Sequence, residues 1–179
     1  QRSCARFLSP LKSITKTLGI NLLYPKLSVG MLEWDHIDAR HVDHVIGAFY
    51  FIRRELFEAL NGFDEDFFIY YEDIDLSLRA NNLGWKSFYF SSVTVFHKGG
   101  GISSQVKAKR LFYSLRSELI YLKKHFGFWR TLIPFLAIML AEPLSRLLLC
   151  IFRSSFSDFK ELLQAYALLY AWVFHQLRS

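Results

Sequence analysis

Gly62-Phe63-Asp64-Glu65-Asp66-Phe67-Phe68-Ile69-Tyr70-Tyr71-Glu72-Asp73-Ile74-Asp75-Leu76 places six carboxylates among five aromatic rings. Asn61-Gly62 reads as a helix stop, because Gly tolerates the left-handed conformation that ends a helix. A second helix is predicted over Glu72 to Leu83, closed by Gly84. Acids in its first turn face the positive end of the helix dipole, and Asp75 and Arg79 are spaced to pair on its surface. Aromatic rings beside carboxylates partly exclude water, which tunes a carboxylate toward proton transfer.

Working outward, Arg53 to Leu60 predicts a short helix with Leu56, Phe57 and Leu60 on one face. Val45 to Ile52 is a continuous apolar run with β-branched and aromatic residues, which predicts a buried strand. Gly47-Ala48 inside it would allow close approach by a ligand or by packed backbone. Trp85 to Phe90 and Val93 to Phe96 predict two more strands, the second ending at His97. The Lys98-Gly99-Gly100-Gly101 loop that follows can bring backbone N–H groups and a cation to phosphate oxygens.

The ordered set Gly62-Phe63-Asp64-Glu65, Phe67-Phe68, Glu72-Asp73-x-Asp75-Leu76, Arg79 and Gly84-Trp85 resembles the second half of a family 2 glycosyltransferase of GT-A fold, rhamnosyltransferase-like subgroup. Gly47-Ala48, Arg53-Arg54-Glu55, His97 and Gly99 to Gly101 fit the same pattern, so the resemblance covers roughly residues 40 to 125. It implies an α/β fold with a mixed sheet. Residues 1–127 would be the C-terminal part of the catalytic domain, and residues 128–179 an apolar helical region. The nucleotide-binding half would precede residue 1, and the chain alone would be inactive. The resemblance assigns Asp73 as general base and Glu72 as a residue orienting the acceptor. His97 would ligate a divalent metal (Mn or Mg), and Gly47, Ala48, Lys98 and Gly99 would line the substrates. The Asp-x-Asp that normally holds that metal is not identifiable here. The implied reaction is inverting transfer from a nucleotide-diphospho-sugar to a glycan or lipid-linked acceptor, on the cytoplasmic face of the plasma membrane.

Charge is unevenly spread. Residues 1–30 carry five basic residues and no acids, residues 31–75 sum to −9, and residues 76–179 sum to +10. An acidic block between basic flanks suits a cation site beside surfaces that meet anions, a diphosphate or an anionic lipid. The basic residues are scattered among apolar runs, which disfavours nucleic acid. Cys4 and Cys150 have no Cys or His neighbour at metal spacing and read as free thiols.

Residues 6 to 18 allow a short helix, but their basic, irregular surroundings favour a surface connection. Residues 33 to 44 hold His36, Asp38, His41, Asp43 and His44, and read as a polar loop entering a strand. Ser103 to Phe126 predicts a helix with Leu111, Leu115, Leu119 and Leu122 in register. Trp129 to Phe152 is mostly apolar but is interrupted by Pro134, Glu142, Pro143 and Arg146, and Phe159 to Leu177 follows with helical spacing. Both are expected to lie in a membrane surface rather than cross it. Two other classes stay open: a non-catalytic membrane-surface module whose acidic helix docks a partner, and a metal-dependent hydrolase built on the histidines of residues 36 to 44.

Overall fold

Helices dominate the computed structural model, which describes residues 3–31, 33–97 and 106–178. The order is β1 (Cys4–Ala5), α1 (Pro10–Thr17), α2 (Ile20–Leu23), a 3-10 turn at Pro25–Leu27, β2 (Arg40–Val42), β3 (His44–Val45), α3 (Arg54–Ala59) and α4 (Glu72–Asn82). It continues with β4 (Ser87–Tyr89), α5 (Lys107–Leu136), a π turn at Ala137–Ala141, α6 (Glu142–Phe152) and α7 (Phe156–Gln176).

The fold is α/β, as expected, but the mixed sheet is not among the described residues. Pairing is antiparallel in two small units. β1 lies on β3, with Cys4 opposite Val45, and β2 lies on β4, with His41 opposite Phe88. The predicted strand from Val45 to Ile52 stops at Val45. The N–H of Ile46 still bonds Ser3 O at 2.9 Å, but that of Gly47 donates to the Asp73 carboxylate at 2.7 Å. A side chain has taken the donor that a neighbouring strand would need, so the ladder ends and Phe51 faces solvent. Residues 93–97 form no strand either among the described residues.

The N-terminal segment departs from expectation in the other direction. Ser9 caps α1 by accepting from Lys12 N–H at 3.3 Å, and Pro10 sits in the first turn, where its missing N–H leaves nothing unsatisfied. α1 packs on α5 rather than running over the surface. Its buried positions are Ser13, Thr15 and Thr17, so hydropathy gave no stripe to read. Ser13 Oγ donates to the fully buried Glu118 at 2.7 Å, and Lys16 pairs with the other Glu118 oxygen.

The predicted end of the long helix at Phe126 falls on a real break: Gly127 has φ 76°, ψ 173°. Beyond it the chain resumes as helix through the π turn. Pro143 has no N–H for the carbonyl four residues back, Met139, and the Tyr170 hydroxyl donates to that oxygen at 2.7 Å. Tyr166 does the same for Ile138 O at 3.3 Å. α7 is thus pinned across the π turn, and Leu115, Leu119, Ile138, Met139, Leu162 and Leu169 close one core between them. A second core joins Leu8, Phe67, Ile74, Tyr121 and Leu122. The acid and arginine that interrupt the apolar run pair with each other, Arg146 to buried Glu142 at 2.7 Å. Within Lys107–Phe152 one 18-residue stretch is long and apolar enough to cross a membrane, and only 17% of that stretch is buried.

Candidate active site

The acidic stretch divides its carboxylates between two tasks. Asp75 is fully buried, not on the helix surface as its spacing suggested. It accepts from Arg79 Nε at 2.7 Å, Lys124 Nζ at 2.6 Å and His125 Nε2 at 2.8 Å. Arg79 also donates to Leu60 O at 2.6 Å and Gly62 O at 2.8 Å, so it caps the carbonyls where α3 ends. Asn61 and Gly62 are both left-handed there, as the helix-stop reading requires. Burial alone would raise the Asp75 carboxyl, but hydrogen bonds from His125, Lys124 and Arg79 overcome this and hold it down at about 2. Asp64 joins the same brace through Lys124 at 2.5 Å.

Asp73 points to other partners. Tyr70 and Tyr71 are both left-handed, with φ 65° and 68°, a costly conformation for bulky residues. This bend turns the first residues of α4 toward the 44–48 segment. Asp73 Oδ2 accepts from Gly47 N–H at 2.7 Å and Oδ1 from Ile74 N–H at 2.8 Å. A Cβ at position 47 would lie 3.2 Å from Asp73 Oδ2, so any larger residue there would press the carboxylate back by a few tenths of an ångström. Glu72 is half-buried beside it. Its Oε2 is shielded from solvent and accepts no hydrogen bond, and burial together with the neighbouring Asp73 charge raises its carboxyl above the usual range.

His44 belongs to this cluster and was passed over as part of a polar loop. Its Nδ1 lies 3.3 Å from Ser77 Oγ, and its Nε2 lies 3.8 Å from Asp73 Oδ2. Ser77 Oγ donates to Asp73 O at 2.8 Å and contacts the Tyr50 hydroxyl at 3.1 Å. The signal was available in the alternation Val42-Asp43-His44, which puts His44 on the buried side with Val42. The other two histidines go elsewhere. His36 stacks on Trp34 at 4.3 Å and His41 meets Phe88 edge-on, so residues 36 to 44 do not converge as the hydrolase reading requires.

Burial holds His44 below its ordinary value of 6.5, against the opposing pull of Asp73 and Asp43. The folded state therefore keeps it neutral where the unfolded chain takes a proton. The unfolded state binds more protons, so this contribution is full above the ordinary histidine range and is lost as pH falls through it. Urea midpoints measured from about pH 7.5 to about pH 5.5 should fall more steeply for the native chain than for His44→Gln. Equal slopes would show that His44 does not titrate in this way.

Ala48 and His97 line one cavity of about 700 Å³, walled by Phe51, Phe88, Phe90 and Phe96. Asp73 does not line it; the carboxylate is bonded to Gly47, the chain neighbour of Ala48. Lys98 and Gly99 lie outside the described residues. Among the described residues no three His, Cys, Asp or Glu side chains gather to hold a metal ion. His97 alone is too few ligands for a divalent cation.

Residues 31–175, most of the chain, match the family model described as glycosyl transferase family group 2. The chain belongs to that family, and its curated relatives make it rhamnosyltransferase-like. It is 36% identical over 92 residues to an N-acetylglucosaminyl-diphospho-decaprenol L-rhamnosyltransferase of Mycobacterium tuberculosis (strain CDC 1551 / Oshkosh), covering 51% of this chain and 30% of that protein. It is 32% identical over 83 residues to the rhamnosyltransferase WbbL of Escherichia coli K12, covering 46% of this chain and 31% of the relative. The chain thus matches about a third of the length of these relatives. No solved structure matches it significantly.

Proposed function

We propose that this chain supplies the acceptor-activating side of an inverting glycosyltransferase of GT-A fold. The single observation that carries the reading is the pair at the start of α4. One carboxylate is locked in position by two backbone N–H groups, and beside it stands a second with a sheltered, unpartnered oxygen. Asp73 takes the proton of the acceptor hydroxyl as that oxygen attacks the anomeric carbon and the nucleotide diphosphate leaves from the opposite face. Glu72 accepts a hydrogen bond from a neighbouring acceptor hydroxyl and fixes its orientation. His44, Ser77 and Tyr50 hold the turn that carries Gly47. The donor is a nucleotide-diphospho-sugar, and the acceptor a glycan or a lipid-linked sugar, as in the mycobacterial relative's name.

A divalent metal would neutralise the departing diphosphate, with His97 as one ligand. The described residues do not complete such a site, and the proton transfer above does not depend on it. The reading sets the protein on a membrane surface, at the cytoplasmic face, and the exposed apolar side chains of the helices beyond Gly127 support the surface part of it. The test is a transfer assay with the full-length protein, nucleotide-rhamnose donors and a polyprenyl-diphosphate-linked acceptor, with product anomers assigned by NMR. Inverted glycolipid product is expected. Failure of every nucleotide-sugar tested would remove the reading, and a retained anomer would remove its stereochemistry.

A further inference from the structure

Away from Asp73, a second cleft of about 680 Å³ opens between the first turns of α5, the last turns of α6 and the start of α7. Lys107, Arg110, Arg146 and Arg153 line it, with Asp158 and Glu161 opposite. These cations are not equivalent. Lys107 lies 3.4 Å from Asp158 and 3.7 Å from Glu161, and Arg146 is held by Glu142. The Arg110 guanidinium has no hydrogen-bond or ion-pair partner among the described residues. Arg153 acts on Asp158 only through its field. Two guanidinium groups therefore line the cleft with their charge available, and a guanidinium is the side chain best shaped to grip phosphate oxygens.

The rim is apolar. Ile151, Phe152 and Phe156 flank Arg153 at the turn between α6 and α7, with Phe152 83% and Phe156 80% exposed. Leu144 and Leu148 continue the exposed face along α6. A small anion in water would gain nothing from this rim. A bilayer surface would, because apolar side chains enter below the head groups while long cationic ones stay at the level of the phosphates. One wall of the cleft is Tyr70, the first of the two left-handed tyrosines that lead into Glu72 and Asp73.

We infer that this cleft binds the phosphate of a membrane lipid head group through Arg110 and Arg153, with Phe152 and Phe156 seated in the bilayer beneath it. The assignment rests on the membrane-surface reading above and adds to it a defined site. The phosphate can belong to a bulk anionic lipid or to the lipid that carries the acceptor sugar.

The experiment is flotation of the full chain with three vesicles: phosphatidylcholine alone, phosphatidylcholine with phosphatidylglycerol, and phosphatidylcholine with a polyprenyl phosphate at matched surface charge. Wild type is compared with R110Q/R153Q and with a charge-matched control, K26Q/K86Q, whose lysines lie elsewhere on the surface. Thermal melts establish that each variant is folded. The expected result is a preference for phosphate-rich vesicles that falls roughly thirtyfold in R110Q/R153Q and is retained in the control. Equal preference for the two anionic vesicles identifies the bulk head group, and a preference for polyprenyl phosphate identifies the acceptor lipid. Binding to all vesicles without preference, or an equal loss in the control, overturns the cleft and leaves the membrane reading intact. No vesicle binding by wild type overturns both. A dimer in vesicle-free solution that R110Q/R153Q dissociates, with no vesicle preference, would give this face to a second copy and overturn the inference.

Discussion

Asp73→Asn in the full-length protein is expected to lower kcat by about two to four orders of magnitude, the usual range for losing a positioned general base. The donor KM should stay near its original value, because nothing in the geometry places Asp73 on the diphosphate. Asn has nearly the shape of Asp but only one acceptor oxygen. It can keep the bond from Gly47 or the bond from Ile74, not both. Loss of one such bond costs about 1 kcal/mol, so the variant should melt within a few degrees of wild type. Glu72→Gln serves as the contrast. Its carboxylate is cast in acceptor binding, so its main effect should fall on the acceptor KM. Near-normal turnover by a folded Asp73→Asn would rule Asp73 out as the base.

The second large effect is on stability. Asp75→Ala should destabilise the chain by about 3–5 kcal/mol, because it leaves Arg79, Lys124 and His125 facing a buried site with no counter-charge. The damage should spread. Arg79 holds the carbonyls of Leu60 and Gly62, so α3, α4 and α5 all lose a shared anchor. The pH dependence has a definite sign. The folded carboxyl sits at about 2, below its ordinary value of 3.8. Folding therefore gains from the ionised form, fully above the unfolded value, and that gain is lost as pH falls from 3.8 toward 2. Denaturant titrations across this window should show the loss in wild type and not in Asp75→Ala. A variant with wild-type stability would mean that these ion pairs contribute nothing net.

The two outcomes separate residues that sequence spacing treats alike. Asp73 and Asp75 stand two apart on one helix turn, yet one is held by backbone N–H groups and keeps some solvent exposure, and the other is locked among Arg79, Lys124 and His125 in the interior. The helix ends at Gly62 and Gly84 were readable because a left-handed residue there leaves few alternatives to glycine or asparagine. The strand from Val45 to Ile52 was misread because an apolar run does not reveal that a carboxylate 26 residues later will take its N–H. α1 was misread for the converse reason: its buried face is made of hydroxyls whose value depends on Glu118, more than a hundred residues away.

The sequence by itself determined the family, the α/β class, the helix boundaries marked by glycine, and the apolar character of everything beyond residue 127. These follow from local conformational preference and from periodicity, which need no partner. Only the tertiary structure decided which carboxylate braces and which faces the candidate site, that His44 joins Asp73, and that Arg110 and Arg153 share a cleft. Those outcomes are set by which distant groups come within hydrogen-bond or Coulomb range once the chain has folded, and no local pattern encodes that distance.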